Sequence, residues 1–213
     1  MLYNERIARQ IADFLLEIQA VLLKPNEPFT WASGWKSPIY CDNRLVLSAL
    51  DARNYLKKNW AEAIKTSFPG ANALAGVATA GIAHAALLAD ELQLPMAYVR
   101  SKPKEHGTGK NIEGRLNAGS RAVVIEDLIS TGKSSLQAVE SLRTEGVTVE
   151  GLFAIFSYDF QEAQKAFEAA NVKFYTLCNY PVLLESALAK NYIKQEDIPL
   201  LNSWRQDPAN WGK

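Results

Sequence analysis

The amino-acid sequence predicts an α/β fold, with a mainly parallel sheet and helices on both faces. Three observations lead to it. From residue 73 onward, short apolar runs alternate with stretches whose apolar residues recur at helical spacing. The runs themselves, of which residues 122–125 (Ala-Val-Val-Ile) are the clearest, have the unbroken apolar character of strands buried on both faces. At 213 residues the chain is long enough for one ample core with a small appendage. A single domain over residues 1–213 is expected, to which residues 1–48 contribute an N-terminal helix and an appended segment.

An amphipathic helix is expected over residues 4–23, where Ile7, Ile11, Phe14, Leu15 and Ile18 share one face, and Pro25 and Pro28 end it. Ser33-Gly34 and Ser37-Pro38 are turn signals, and residues 39–41 form a short strand. A second helix covers about residues 50–68. Strands then follow at 73–77, 95–99, 122–125, 148–157 and 172–177. Helices run to residue 92, to residue 145 and over 162–170, and two helical pieces close the chain. In such sheets the sites lie beyond the carboxyl ends of the strands. The loops after residues 76, 99 and 125 all leave strands at that end, so they can converge.

The segment from Arg121 to Ser135 carries the most chemical information. A buried strand ends in Glu126 and Asp127, and a small polar turn, Ser130 to Ser135, opens a helix with Leu136, Val139 and Leu142 on its inner face. Turn N–H groups and the positive end of a helix dipole suit a phosphate. Adjacent carboxylates suit hydroxyls, or water held by a metal. Together they point to a sugar phosphate. A nucleotide-binding P-loop would share Gly132-Lys133-Ser134 but needs a glycine where Asp127 stands, and a carboxylate there repels phosphates. An ordinary strand-turn-helix capped by Ser130 or Thr131 is the simpler alternative, but it leaves two acids at the end of a buried strand unexplained.

Residues 99–114 are basic and glycine-rich, with Arg100, Lys102, Lys104, His106 and Lys110 among glycines at 107, 109 and 114. With Ile112 almost the only apolar anchor, the segment reads as a mobile surface loop, either a solvated linker or a lid over a polyphosphate. His106 titrates near neutrality if unperturbed. His84, among small apolar residues, reads as a helix residue with a satisfied ring. Residues 74–82 read as a strand, a glycine-flanked turn and a helix, with Gly76 and Gly81 allowing close approach. The spacing does not match a dinucleotide fingerprint. Trp31, Trp35 and Tyr40 either stack on a flat heterocycle or pack the edge of a small domain.

The charge balance, 23 basic against 23 acidic residues, signals no broad nucleic-acid or membrane surface. Cys41 and Cys178 are far apart and have no metal spacing, which suits a reducing, cytoplasmic compartment. No signal peptide or long apolar span is read in the sequence.

The apolar run, acidic pair and Thr131-Gly132 resemble the phosphoribosyl pyrophosphate (PRPP) motif of type I phosphoribosyltransferases. Residues 29–44 are similar to the N-terminal hood of the orotate phosphoribosyltransferases within that family. The resemblance implies a type I phosphoribosyltransferase-like sheet plus a small N-terminal hood, and transfer of phosphoribosyl from PRPP to orotate with Mg²⁺ as cofactor. It also implies a homodimer whose sites are shared between subunits, with PRPP and orotate as the only partners and neither nucleic acid nor membrane. PRPP would be held by Arg100, Lys104, His106, Glu126, Asp127, Leu128, Ile129, Ser130, Thr131, Gly132, Lys133 and Ser134. Orotate would be held by Ser130 and Tyr40, with Lys104, His106 and Asp127 catalytic and no protein-held metal site. One bacterial branch of the family carries lysines where this chain has Ala32, Ala80 and Ser101, and an arginine near Phe160; Lys36, Lys102 and Lys133 are possible substitutes. A purine phosphoribosyltransferase would share the acidic motif but lack the hood. A PRPP-sensing nucleic-acid-binding regulator would need a basic helix or winged region, and the first helix carries mixed charges.

Overall fold

The structure, a computed structural model, describes residues 1–31, 33–100 and 111–212. Helix α1 (Glu5–Glu17) starts at Asn4, whose side-chain oxygen accepts the Ile7 N–H at 3.1 Å, and it buries Ile7, Ile11, Leu15 and Leu16. The expected extension to residue 23 does not form. The backbone turns left-handed at Gln19 (φ 58°), and Val21–Leu23 becomes strand β1. Strands β2 (Phe29–Thr30), β3 (Lys36–Ser37) and β4 (Ile39–Cys41) follow; β1 pairs with β4 and β2 with β3, both antiparallel. Pairing with a strand some twenty residues away overrides the helical pattern at 21–23, as tertiary context routinely does.

After a 3₁₀ turn at Asn43–Ser48 and helix α2 (Leu50–Ser67), the main unit alternates as expected. It comprises β5 (Ala73–Val77), α3 (Ala80–Leu92), β6 (Met96–Val99), β7 (Ile112–Glu113), β8 (Arg121–Ile129), α4 (Lys133–Thr144), β9 (Thr148–Ser157), α5 (Gln161–Ala169), β10 (Phe174–Asn179), α6 (Tyr180–Ala189) and α7 (Ile198–Gln206). The strand order is β10-β9-β8-β5-β6-β7, parallel except for β7, which the sequence reading missed. From β5 the chain moves to β6 on one side and returns to β8 on the other. The crevice at the carboxyl ends of β5 and β8 is therefore the topological switch point.

Alternation along the strands sorts the core into two layers. Leu74, Val123, Ile125, Phe153 and Leu177 pack with Leu15, Trp60 and Leu88 from α1, α2 and α3. Ala75, Val124, Leu152 and Ala154 pack with Val139 and Leu142 of α4 and Phe167 of α5. Each fully buried Leu, Ile or Phe contributes about 1.5–3 kcal/mol, so both helical layers are needed to hold the sheet flat-sided and dry.

Gly76 and Gly81 serve this packing. A Cβ on Gly81 would lie 2.6 Å from the Ile125 carbonyl oxygen, and one on Gly76 would lie 3.0 Å from Ala85 Cβ. The close approach that these glycines allow is that of α3 to the sheet. Gly81→Ala should push α3 off β8 and lower stability by about 1–3 kcal/mol, read as a lower denaturant midpoint at unchanged slope.

His84, inside α3, is buried beside Trp60 with ring centroids 6.0 Å apart, and burial drives its pKa down to about 4. Its Nε2 has no hydrogen-bond partner, so the ring is only partly satisfied. Above pH 6.5 the ring is neutral in folded and unfolded chains alike and adds no slope. Between pH 6.5 and about 4 only the unfolded chain takes up the proton, so stability falls as pH is lowered, by up to about 3 kcal/mol. Urea unfolding at pH 7 and pH 4.5 should show this extra loss in the wild type and not in His84→Leu; equal losses would mean that the ring charges in the folded state.

Candidate active site

β8 outruns its neighbour β5. The β5–β8 pairing ends at Gly76↔Ile125, whereas β9 continues beside β8 to Ile129↔Ser157. The expected strand 122–125 is thus longer, and both acids lie within it, because the ten residues of β9 supply backbone partners past the end of β5. The chain then bends through Ser130 and Thr131 into α4. The residue before α4 is Gly132 (φ 80°), and no side chain caps the helix, contrary to the expected role of Ser130 or Thr131. Glycine is required twice over: the conformation is left-handed, and a Cβ would sit 2.8 Å from Phe167 Cε2. The first-turn N–H groups of α4 are consequently free of side-chain caps and form an anion-suited end.

The acidic pair is divided between two neighbours. Glu126, buried, accepts the Asp127 N–H at 3.0 Å and the Ser135 hydroxyl of α4 at 3.1 Å. Asp127 is half-buried on the hood side, where Asn43 donates Nδ2–H to its carbonyl oxygen at 2.8 Å. Burial, then the neighbouring Asp127 charge, pushes Glu126 well above the usual carboxylate range. Burial also raises Asp127, but hydrogen bonds and the Arg44 charge oppose it. The shared charge therefore rests on Asp127, the more accessible of the two.

A cavity of about 280 Å³ adjoins this segment, lined by Thr30, Trp31, Tyr40 and Cys41 of the hood, Leu128 and Ser130 of the acidic segment, and Tyr158. Tyr40 and Ser130, both predicted to hold the base, face the same space, and Trp31 joins them; Trp35 is not among its lining residues. Trp31 is fixed by its Nε1–H bond to Ile39 O at 3.1 Å and by ring contacts with Tyr158 and Trp204 at 5.3 and 5.7 Å. A larger cleft, about 460 Å³ and lined in part by Met1 and Lys173, opens at the amino end of β10, away from the acidic pair.

Of the remaining predicted residues, Leu128 faces the cavity, Ile129 is buried in the core, and Lys133 and Ser134 are exposed on the first turn of α4. Arg100 follows β6, with Nη1 3.5 Å from Glu113 Oε1. Lys104 and His106, like Lys102 and Lys110, lie outside the described residues. The sequence reading missed Asn43, Thr30, Cys41 and Tyr158 as site residues. Asn43 sits within the quoted hood motif, but nothing in the spacing signals a contact with Asp127, eighty-four residues away.

A family model for the phosphoribosyl transferase domain matches residues 51–187. An orotate phosphoribosyltransferase of Listeria innocua is 56% identical over 207 residues, covering 97% of this chain and 99% of that relative. The chain belongs to the orotate phosphoribosyltransferase family. Among solved structures, the orotate phosphoribosyltransferase from Aeropyrum pernix has a TM-score of 0.74 at 30% identity, covering 82% of this chain and 96% of that one. Leishmania donovani UMP synthase shares the fold, with a TM-score of 0.78 at 24% identity; 93% of this chain aligns with 42% of that longer one.

One of this chain's departures from the cation-rich branch of the orotate phosphoribosyltransferases has a packing account. Phe160, where an arginine is expected nearby, is buried in an aromatic cluster, stacked on Tyr158 at 5.4 Å and edge-on to Trp204 at 5.3 Å. A guanidinium there would be buried without a partner. Ala80 is the first residue of α3, one residue before the tight Gly81–Ile125 contact. Ala32 and Ser101 lie outside the described residues.

Asn43→Ala should leave the Asp127 carbonyl unpaired and lower stability by about 1–3 kcal/mol in chemical denaturation. Glu126→Gln, which keeps the shape of the protonated acid, should lower it by less than Glu126→Ala.

Proposed function

We propose that this protein transfers the 5-phosphoribosyl group from PRPP to orotate, releasing pyrophosphate and forming orotidine 5′-phosphate in pyrimidine (UMP) synthesis. The observation that carries this is contiguity. One five-residue stretch, Asp127 to Thr131, runs from the acidic pair past the aromatic-walled cavity to the uncapped start of α4. A hydroxyl acceptor, a site for a flat ring and a phosphate end thus lie side by side. The hood favours orotate over a purine, and neutral overall charge argues against a nucleic-acid-binding regulator.

Residues Ser130 to Ser134 would cradle the 5′-phosphate with turn and helix N–H groups. Asp127 would accept the ribose hydroxyls, with Glu126 fixing its backbone from beneath. The base would lie between Trp31, Tyr40 and Leu128. The C1–oxygen bond to pyrophosphate breaks as the bond to N1 of the pyrimidine forms, through an oxocarbenium-like state, and the N1 proton departs. Arg100, Lys104 and His106 would stabilise the charge developing on pyrophosphate, with His106 also a proton donor.

Mg²⁺ fits as a substrate-borne ion. Its oxygen preference matches Asp127 together with the oxygens of PRPP and water. When bound it would neutralise pyrophosphate charge, with Asp127 as its nearby carboxylate. The chain would act as one unit over residues 1–213, as a homodimer with shared sites. Its free thiols Cys41 and Cys178 suit a cytoplasmic setting, and no helix among the described residues is long and apolar enough to cross a membrane.

PRPP-dependent loss of orotate absorbance, with adenine, hypoxanthine and uracil as controls, tests the reaction. Asp127→Asn should lower kcat/KM for PRPP by about 1.5–3 kcal/mol of transition-state binding, and unchanged kinetics in both Asp127→Asn and Glu126→Gln would remove the sugar-site assignment. For the shared site, a Lys104→Ala/His106→Ala double mutant is mixed with Asp127→Ala. If the loop completes the partner's site, random exchange makes about half the dimers mixed and restores roughly a quarter of wild-type sites. Activity remaining at the level of the separate mutants, after exchange is confirmed by mass, rules out sharing.

A further inference from the structure

We propose that Lys36 is the residue by which this protein reads the carboxylate of its pyrimidine, and so separates orotate from a neutral ring; this rests on the base site proposed above. All seven residues lining the cavity are uncharged side chains at neutral pH. A carboxylate-bearing ring entering such a space would give up hydration for no charged partner. Lys36 stands at its rim. β2 and β3 put Thr30 and Lys36 opposite each other in register, and Lys36 Nζ donates to Thr30 Oγ1 at 2.8 Å. Thr30 is one of the lining residues, so the ammonium is a single hydrogen bond from the cavity wall.

The stem of Lys36 is supported as well. A Cβ built on Gly212 would lie 3.3 Å from Lys36 Cβ and 3.5 Å from its Cγ, so the C-terminal backbone flanks the aliphatic part while the head stays exposed. The other hood cations, Lys24 and Arg44, are engaged elsewhere: Lys24 Nζ stands 3.8 Å from Glu27 Oε2, and Arg44 Nε and Nη2 bind the two oxygens of Asp42 at 2.6 and 2.8 Å. Among the described residues of the hood that border this cavity, Lys36 therefore has the ammonium free to turn inward. With a carboxylate seated against Thr30, the hydroxyl and the ammonium supply two donors to its two oxygens, one of them charged. A ring with hydrogen in place of the carboxylate gains nothing from Lys36, which is the basis of the discrimination.

The test uses Lys36→Met, which keeps the stem and removes the charge, and Lys36→Arg, which keeps the charge, both in the full-length protein. KM is measured for orotate and PRPP, and uracil is measured as a competitive inhibitor against orotate. In Lys36→Met, kcat/KM for orotate should fall roughly ten- to a hundredfold, mainly through KM, while the PRPP KM and the uracil Ki stay within about twofold of wild type. Lys36→Arg should recover most of the loss. An unchanged orotate KM in Lys36→Met, or a uracil Ki that rises by the same factor, overturns the assignment while the proposed reaction stands. A wild-type protein that turns over PRPP but ignores orotate overturns the proposed reaction and this inference with it.

Discussion

A difference in strand length organises the site. β5 stops pairing with β8 at Ile125, while β9 accompanies β8 four residues further. Had the three strands ended together, the acids would sit in a turn with backbone free to relax. Instead both residues are held in sheet geometry beside β9, with Glu126 buried and Asp127 half-buried. Glu126 then takes the Ser135 hydroxyl of α4, while the backbone carbonyl of Asp127 takes Asn43 of the hood. One short run of β8 thereby fixes the helix that suits a phosphate and the segment that walls the base cavity.

The hood depends on the same frame at second hand. β1–β4 and β2–β3 are two small antiparallel pairs, too small to be stable alone. Val21 of β1 and Ile39 of β4 are buried in the main core, and Trp31 and Asn43 add further attachments. Trp31 inserts into the rings of Tyr158 and Trp204, and buried Asn43 ties the backbone after β4 to Asp127. Phe160 completes that aromatic cluster, which is why the place where relatives of one branch carry an arginine here belongs to the core. In the proposed base site a charge for the ring would have to come from elsewhere, and Lys36 at the rim of the cavity is the one we propose.

The parallel sheet and its two helical layers were legible in the sequence because buried strands and amphipathic helices have distinct periods, and the acidic motif because its order of residue types is chemically specific. What escaped the reading was set by contacts distant in sequence. The residues of β1 read as the end of α1 until β4, about twenty residues on, is there to pair with them. Gly76 and Gly81 read as glycines that allow close approach, but that Ala85 and the Ile125 carbonyl lie against them is set by the fold. Asn43 and Tyr158 belong to the site only through the fold. Lys104 and His106 rest on family resemblance alone, being outside the described residues.

The division of the acidic pair has an electrostatic consequence. Two carboxyls this close resist double ionisation, and the environment decides which one yields. Glu126 is the more deeply buried and feels its partner's charge, so the proton favours it. Asp127, opposed by Arg44 and by backbone hydrogen bonds, keeps the negative charge. A protonated Glu126 still accepts the Asp127 N–H on one oxygen, so the brace survives protonation. The pair thus behaves as one outward-facing anion on a neutral buried support. In the proposed site that arrangement would offer a single strong acceptor to a pair of sugar hydroxyls, without the self-repulsion that two exposed carboxylates would bring to a ligand already rich in phosphate.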